Sequence, residues 1–264
     1  MSPRAPFQIS RRFLAVWRRN WLVYRRTWQI SFLPPMLEPV LYVLAFGVGF
    51  RALIGGIRYG GAEVSYVAFI APALISIGVM YASFFETTYS SFVRMYYQKT
   101  FDAMMATPLS LDEVITGEIV WGATRSVIAS AVMLAVLTAF GLVRYPSGLL
   151  IVPVALLGGM AFGSIGMLFT GLVKNIDMFN LPSFLFVTPM FLFSGTFFPL
   201  DGFPPWAQAV AQAFPLTHAV NAIRALSLGQ PHAVPIALDA LYLLAFTLMF
   251  FPLGLIAMRR RLIH

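Results

Sequence analysis

Catalysis needs groups that move protons, attack carbonyls or hold metals, and this chain carries few of them in usable positions. Its three histidines, His218, His232 and His264, are scattered along 264 residues, and it has no cysteine. Disulfides and thiolate metal sites are therefore excluded, and the histidine spacing builds no metal site. The sequence has no G-x-x-x-x-G-K-S/T loop, the backbone cradle for nucleotide phosphates, so it cannot itself be an ATPase. No serine has a histidine and a carboxylate at recognisable spacing. His218, beside Thr217, can be drawn as the base of a membrane transferase, but a lone histidine there is more often structural.

The remaining chemistry lies in ionisable residues set in or near apolar stretches: Glu38, Glu86, Glu118, Arg125 and Asp239. An unpaired charge in hydrocarbon costs roughly 2.5–3.5 kcal/mol or more, so each marks a pathway or a pairing. The carboxylates either pair with Arg125 and with helix ends, or contact substrate. Arg224 needs a polar partner too, and depth favours Asp239.

What positions these groups follows from composition. Apolar residues make up 59% of the chain and charged residues 11%. A soluble domain is nearer half apolar and a quarter charged, so lipid must solvate much of this surface. The net charge of +8 could point to nucleic acid. Its placement argues otherwise, because arginines gather at the N-terminus and in Arg259, Arg260 and Arg261, beside hydrophobic segments. That is the mark of cytoplasmic ends. No nucleic-acid partner is expected, and nothing near the N-terminus resembles a cleaved signal peptide.

Phe13, Trp17, Trp21, Tyr24 and Trp28 recur every three or four residues within 7–27, and two rows of arginines recur every seven on the opposite side. This predicts an amphipathic helix lying in the headgroup layer, its rings toward acyl chains. Spans are expected at 29–53, 64–90, 116–142, 148–173, 178–197 and 234–258. In the first, Pro34, Pro35 and Pro39 predict a kink or local unwinding. Residues 91–115 form the longest polar stretch between spans. Pro108 breaks it, and Ser110 with Glu113 makes a capping box that starts a new helix. The fourth span is rich in glycine, which lets helices approach closely. Residues 198–232 hold too many prolines and polar groups for a lipid-exposed span, and are expected as two short helices, near 204–213 and 217–228, in an outer re-entrant hairpin. Basic residues at both ends require an even number of spans. The expected fold is all-α and integral to the membrane, with six transmembrane helices and both termini cytoplasmic.

The segment Ser194–Gly229, SGTFFPLDGFPPWAQAVAQAFPLTHAVNAIRALSLG, resembles the signature region of type-2 ATP-binding-cassette exporter permeases. It is most similar to the subgroup of nodulation-factor (lipo-oligosaccharide) exporters, and FDAMMATPLSLDEVITGE, from Phe101 to Glu118, resembles the same subgroup's cytoplasmic loop. The resemblance implies a bacterial inner-membrane permease that dimerises with a second copy of itself, each protomer seated on a separate ATP-binding subunit. ATP and magnesium would belong to that partner, with no cofactor on this chain. Lys99, Thr100, Phe101, Asp102, Ala103 and Met104 would form the coupling helix, with Phe101 and Met104 inserted into a groove on the ATPase. The implied cargo is amphipathic or lipid-linked oligosaccharide. Drug and polysaccharide exporters share the architecture. A secondary transporter or channel is the alternative from another class, and would need a relay of buried charges at mid-membrane, where Arg125 stands alone.

Overall fold

The computed structural model describes residues 7–45, 56–59, 62–229 and 236–262. The chain is a helical bundle with one small β-ribbon. Helix α1 runs Phe13–Leu44. Strands β1 (Ile57–Tyr59) and β2 (Ala62–Val64) pair antiparallel, in a loop where the sequence predicts no strand. Helix α2 spans Tyr66–Tyr97, and α3 is the short Thr100–Met105. Then come α4 (Leu111–Ala139), α5 (Ser147–Leu172) and α6 (Ile176–Phe193). Two short helices, α7 (Pro205–Gln212) and α8 (Pro215–Leu228), precede α9 (Ile236–Leu262).

Five helices, α2, α4, α5, α6 and α9, are long and apolar enough to cross a membrane. Helix α1 falls short of that among the described residues, because Gln29, Glu38 and three prolines dilute its second half. The tail of the first expected span, 46–53, lies outside the described residues, as does the Glu38 side chain.

Two expectations about the N-terminal region are corrected. The amphipathic segment and the first span are one continuous helix, and it is not unwound at Pro34, Pro35 or Pro39. Proline's fixed φ is itself helical, and the carbonyls it leaves unpaired need only local adjustment. The aromatic stripe does not face acyl chains either. Trp17 donates from Nε1 to Thr124 Oγ1 at 2.9 Å, and Trp21 and Tyr24 pack edge-on against Trp121. The stripe is the seam between α1 and α4.

The bundle core is held by small residues, as expected where helices associate without a hydrophobic drive between them. A Cβ built on Gly159 of α5 would lie 2.8 Å from the Ala123 Cα of α4, so the two backbones touch there. Hydroxyls stitch the same contacts. Ser83 Oγ donates to Gly159 O at 2.5 Å, Ser126 Oγ to Val79 O at 2.6 Å, and Thr170 Oγ1 to Thr87 O at 2.8 Å. Helix α9 packs along α5, where Gly171 meets Ala257.

Candidate functional site

The charges collect at one end of the bundle, where α2 finishes, α4 begins and the arginines of α9 emerge. Helix α2 continues as helix through 86–97, in two wider turns at Glu86–Ser90 and Val93–Tyr97. The expected loop 91–115 is therefore helical for its first third. It turns at Lys99, whose φ of 51° is left-handed, and passes through α3 to Ser110. There the capping box forms as the sequence predicts: Ser110 Oγ accepts from Glu113 N, and Glu113 accepts from Ser110 N at 2.8 Å.

Two carboxylates singled out in the sequence converge here, on an unexpected partner. Arg94 donates from Nε to Glu118 Oε2 at 2.9 Å, forms a second short bond to the same oxygen, and donates to Glu86 Oε1 at 2.7 Å. Ser91 Oγ donates to the same Glu118 oxygen, Asn20 Nδ2 donates to its Oε1, and Trp121 Nε1 donates to Glu86. Arg125, the expected partner, makes a longer ion pair with Glu86 at 3.8 Å, does not reach Glu118, and lies over the Tyr24 ring at 4.8 Å. The reason is reach: Arg94 sits two turns after Glu86 on the same helix, whereas Arg125 is drawn to the aromatic seam. A cavity of about 470 Å³ opens beside this network, lined by Arg19, Tyr24, Glu86, Arg94, Trp121 and Arg125 among others.

A second ion pair ties the last turns of α9 to the first turn of α4. Arg259 of α9 donates from Nε to Asp112 Oδ1 at 2.7 Å and from Nη2 to Oδ2, and both side chains are buried. The extended segment before α1 lies against this pair. Gln8 N donates to Asp112 Oδ2 at 2.8 Å, Ser10 Oγ donates to Glu113, and Arg12 Nη1 donates to Pro108 O at 2.7 Å. Arg261 caps carbonyls of Thr170 and Val173 at the end of α5.

The segment 99–104 sits at the extreme of this end, but the expected orientation of Phe101 is reversed. Phe101 is 0% exposed, inside a cluster with Phe92, Met95, Leu111, Ile115 and Phe179. Met104, three residues on, packs against the same cluster. One face of a two-turn helix cannot serve both its own core and a partner's groove. The outward residues are Lys99, Asp102, Ala103, Ala106 and Thr107, with Tyr96 and Tyr97 half-exposed or more beside them.

At the opposite end the expected Arg224–Asp239 pair does not form. Arg224 is buried and donates to backbone carbonyls: Phe69 O at 3.0 Å, Gly195 O at 2.8 Å and Thr196 O at 3.3 Å. Its guanidinium also lies 3.8 Å from the Phe69 ring centre. Asp239 instead meets His218 Nδ1 at 2.7 Å, while His218 Nε2 meets Gln212 O at 2.9 Å and its ring stacks on Tyr242. Among the described residues the hydrogen bonds of His218 go to a carboxylate and a backbone carbonyl, and none goes to a serine or threonine hydroxyl. The two short helices occur as expected, as α7 and α8, with α8 ending in Gly229 at a left-handed φ of 63°. Residues 230–232, including His232, and the terminal His264 lie outside the described residues.

Residues 11–228 of the chain match a known family model, "ABC-2 type transporter". The chain belongs to the ABC-2 type transporter family. It is 36% identical over 255 residues to Nodulation protein J of Rhizobium leguminosarum bv. trifolii, covering 97% of this chain and 95% of the relative. Nodulation protein J of R. leguminosarum bv. viciae is 38% identical over 221 residues, 84% of each chain. The more distant Inner membrane transport permease YadH of Escherichia coli K12 is 23% identical over 215 residues, 81% of this chain and 82% of its own. This ABC-2 chain is thus an all-α, multi-pass membrane protein.

In the ABC-2 chain, sequence reasoning missed Asn20, Arg94, Asp112 and Arg259 as members of the charge networks. Arg259 was legible only as a cytoplasmic marker, and Asp112 only as a neighbour of the capping box. A signal existed for Arg94: it stands eight residues after Glu86, two turns along one helix and on one face.

Proposed function

We propose that this chain is the membrane-spanning subunit of an ATP-driven exporter in a bacterial inner membrane. Two copies pair with separate ATP-binding-cassette subunits, which hold the ATP and magnesium. The chain crosses six times, with α1 as the first span, both termini in the cytoplasm and the α7–α8 hairpin at the far side. The cargo is an amphipathic or lipid-linked oligosaccharide. The observation that carries this reading is the near end-to-end similarity to Nodulation protein J chains, in a sequence with no nucleotide-binding loop of its own.

The structure supplies a physical means of coupling. Segment 99–104 is the coupling element, contacting the ATPase through Lys99, Thr100, Asp102 and Ala103 while Phe101 and Met104 anchor it from within. A push on this segment reaches α4 through the Phe101 cluster and the capping box, and reaches α9 through Asp112 and Arg259. Rigid elements with tight anchors are what transmission of a domain motion needs. Glu86, Glu118 and Arg94 brace α2 against α4 along that route. Neither Arg224 nor Asp239 joins them, since both lie at the far end.

The test is co-expression with an ATP-binding-cassette subunit from the same genome, purification through a tag on this chain, and ATP hydrolysis with and without a lipid-linked oligosaccharide. Co-purification and stimulated hydrolysis are expected. A chain that transports in vesicles with no nucleotide-binding partner overturns the reading.

A further inference from the structure

The cavity beside the Arg94 network is unbalanced in charge. Its walls carry three arginines, Arg19, Arg94 and Arg125, and one carboxylate, Glu86. Arg94 is fully engaged by Glu86 and Glu118. Among the described residues, Arg19 donates to its neighbour Asn20 at 2.9 Å, and Arg125 forms an ion pair with Glu86 at 3.8 Å, too long for a hydrogen bond, so its N–H donors are not taken up by that carboxylate. Two guanidiniums therefore face one space of about 470 Å³ with donors to spare. Guanidinium forks match phosphate oxygens two at a time, and such charge-assisted bonds strengthen away from bulk water.

The surroundings of the cavity distinguish a lipid from a soluble anion. The α1 wall of the cavity includes Val23, and Leu22 beside it in sequence is exposed as well, the two standing at 50% and 49%. Trp17, Trp21 and Tyr24 stack along the same turns of α1, with centroids 5.9 and 6.0 Å apart, and Trp121 closes the wall. The arginine rows of α1, from Arg11 to Arg26, give way beyond this level to its more apolar half, which sets the boundary between headgroups and hydrocarbon. A phosphate held by Arg19 and Arg125 would thus sit at headgroup depth, with apolar side chains at the exit for acyl tails. A free phosphate ion makes no use of that apolar rim.

We infer that this cavity binds the phosphate of an anionic membrane phospholipid, with Arg19 and Arg125 as its ligands and Leu22 and Val23 against its chains. The lipid completes the seam between α1, α2 and α4. This proposal does not depend on the exporter assignment.

Native mass spectrometry of the full purified chain in detergent tests it, with phosphatidylglycerol and phosphatidylcholine supplied at equal concentration. Phosphatidylglycerol is expected to be retained about tenfold more, and Arg19→Gln and Arg125→Gln each to reduce that retention about tenfold, the loss of one charge-assisted bond. Lys174→Gln, an exposed cation at the same end but off the cavity, should change nothing. If Arg125→Gln is not monodisperse, Arg19→Gln decides, because the Arg19 bond goes only to the adjacent side chain. Equal retention of the two lipids, or unchanged retention in Arg19→Gln, overturns the site. A third arm titrates inorganic phosphate into lipid-free protein and follows tryptophan fluorescence. No saturable change is expected; a saturable change lost in Arg19→Gln would assign the cavity to a soluble phosphate and overturn the lipid.

Discussion

Arg259 and Asp112 stand 147 residues apart in sequence and form a two-point ion pair, Nε to Oδ1 at 2.7 Å and Nη2 to Oδ2, with almost no exposure. The pair joins the last turns of α9 to the first turn of α4. Removing one partner strands a buried charge, which costs about 3–5 kcal/mol. Asp112→Ala and Arg259→Ala should each destabilise on that order, and the double variant should cost less than their sum by about 0.5–3 kcal/mol. Denaturant titration of the three variants in one detergent measures this. Strict additivity would mean that the contact is not energetically coupled.

At the other end, two cycles separate the observed pairing from the one that depth alone favours. His218→Ala and Asp239→Ala should be coupled, because their side chains meet at 2.7 Å. Arg224→Ala and Asp239→Ala should add to within about 0.3–0.5 kcal/mol, since they share no partner among the described residues. Thermal denaturation of each set gives the answer. Coupling between Arg224 and Asp239 would contradict the arrangement of α8 and α9.

The anchoring role of Phe101 separates stability from partner binding. Phe101→Ala empties a fully buried site and should cost about 3–5 kcal/mol of stability. Ala103→Arg, on the exposed face of α3, should leave the melting temperature of this chain unchanged. If α3 docks on an ATPase, Ala103→Arg should nonetheless reduce recovery of that subunit in a tag pull-down. Normal recovery with normal coupled hydrolysis would move the docking surface elsewhere.

The absence of cysteine makes single-cysteine labelling direct. Thr107 and Asn175 are exposed at the arginine-rich end, and Tyr145 and Gly202 are exposed at the other. A Cβ added at Gly202 meets nothing within 4 Å, so a cysteine there is sterically free. In whole cells an impermeant maleimide should label Tyr145→Cys and Gly202→Cys directly. Thr107→Cys and Asn175→Cys should react only after permeabilisation. Labelling of Thr107→Cys in intact cells would invert the proposed orientation.

Composition and local pattern alone determined much of this protein. An excess of apolar residues over what a water-soluble core can absorb dictates a membrane bundle, and the Ser110–Glu113 spacing dictates where α4 begins. The prolines and polar groups of 198–232 dictate two short helices, because a continuous span could not satisfy them. These features depend on neighbours within a few residues or on bulk solvent preference, so they are visible in one dimension. Tertiary structure alone decided which charges meet. Arg94 bridges Glu86 and Glu118 while Arg125 reaches only Glu86 at longer range, His218 rather than Arg224 holds Asp239, and Arg259 finds Asp112 across 147 residues. It also turned Phe101 inward and laid the tryptophans of α1 on α4 instead of on lipid. Depth and helical face narrow such choices, but a long side chain reaches whichever partner the helix packing brings within about 3 Å. Packing of that kind is a property of the assembled bundle and of no single segment.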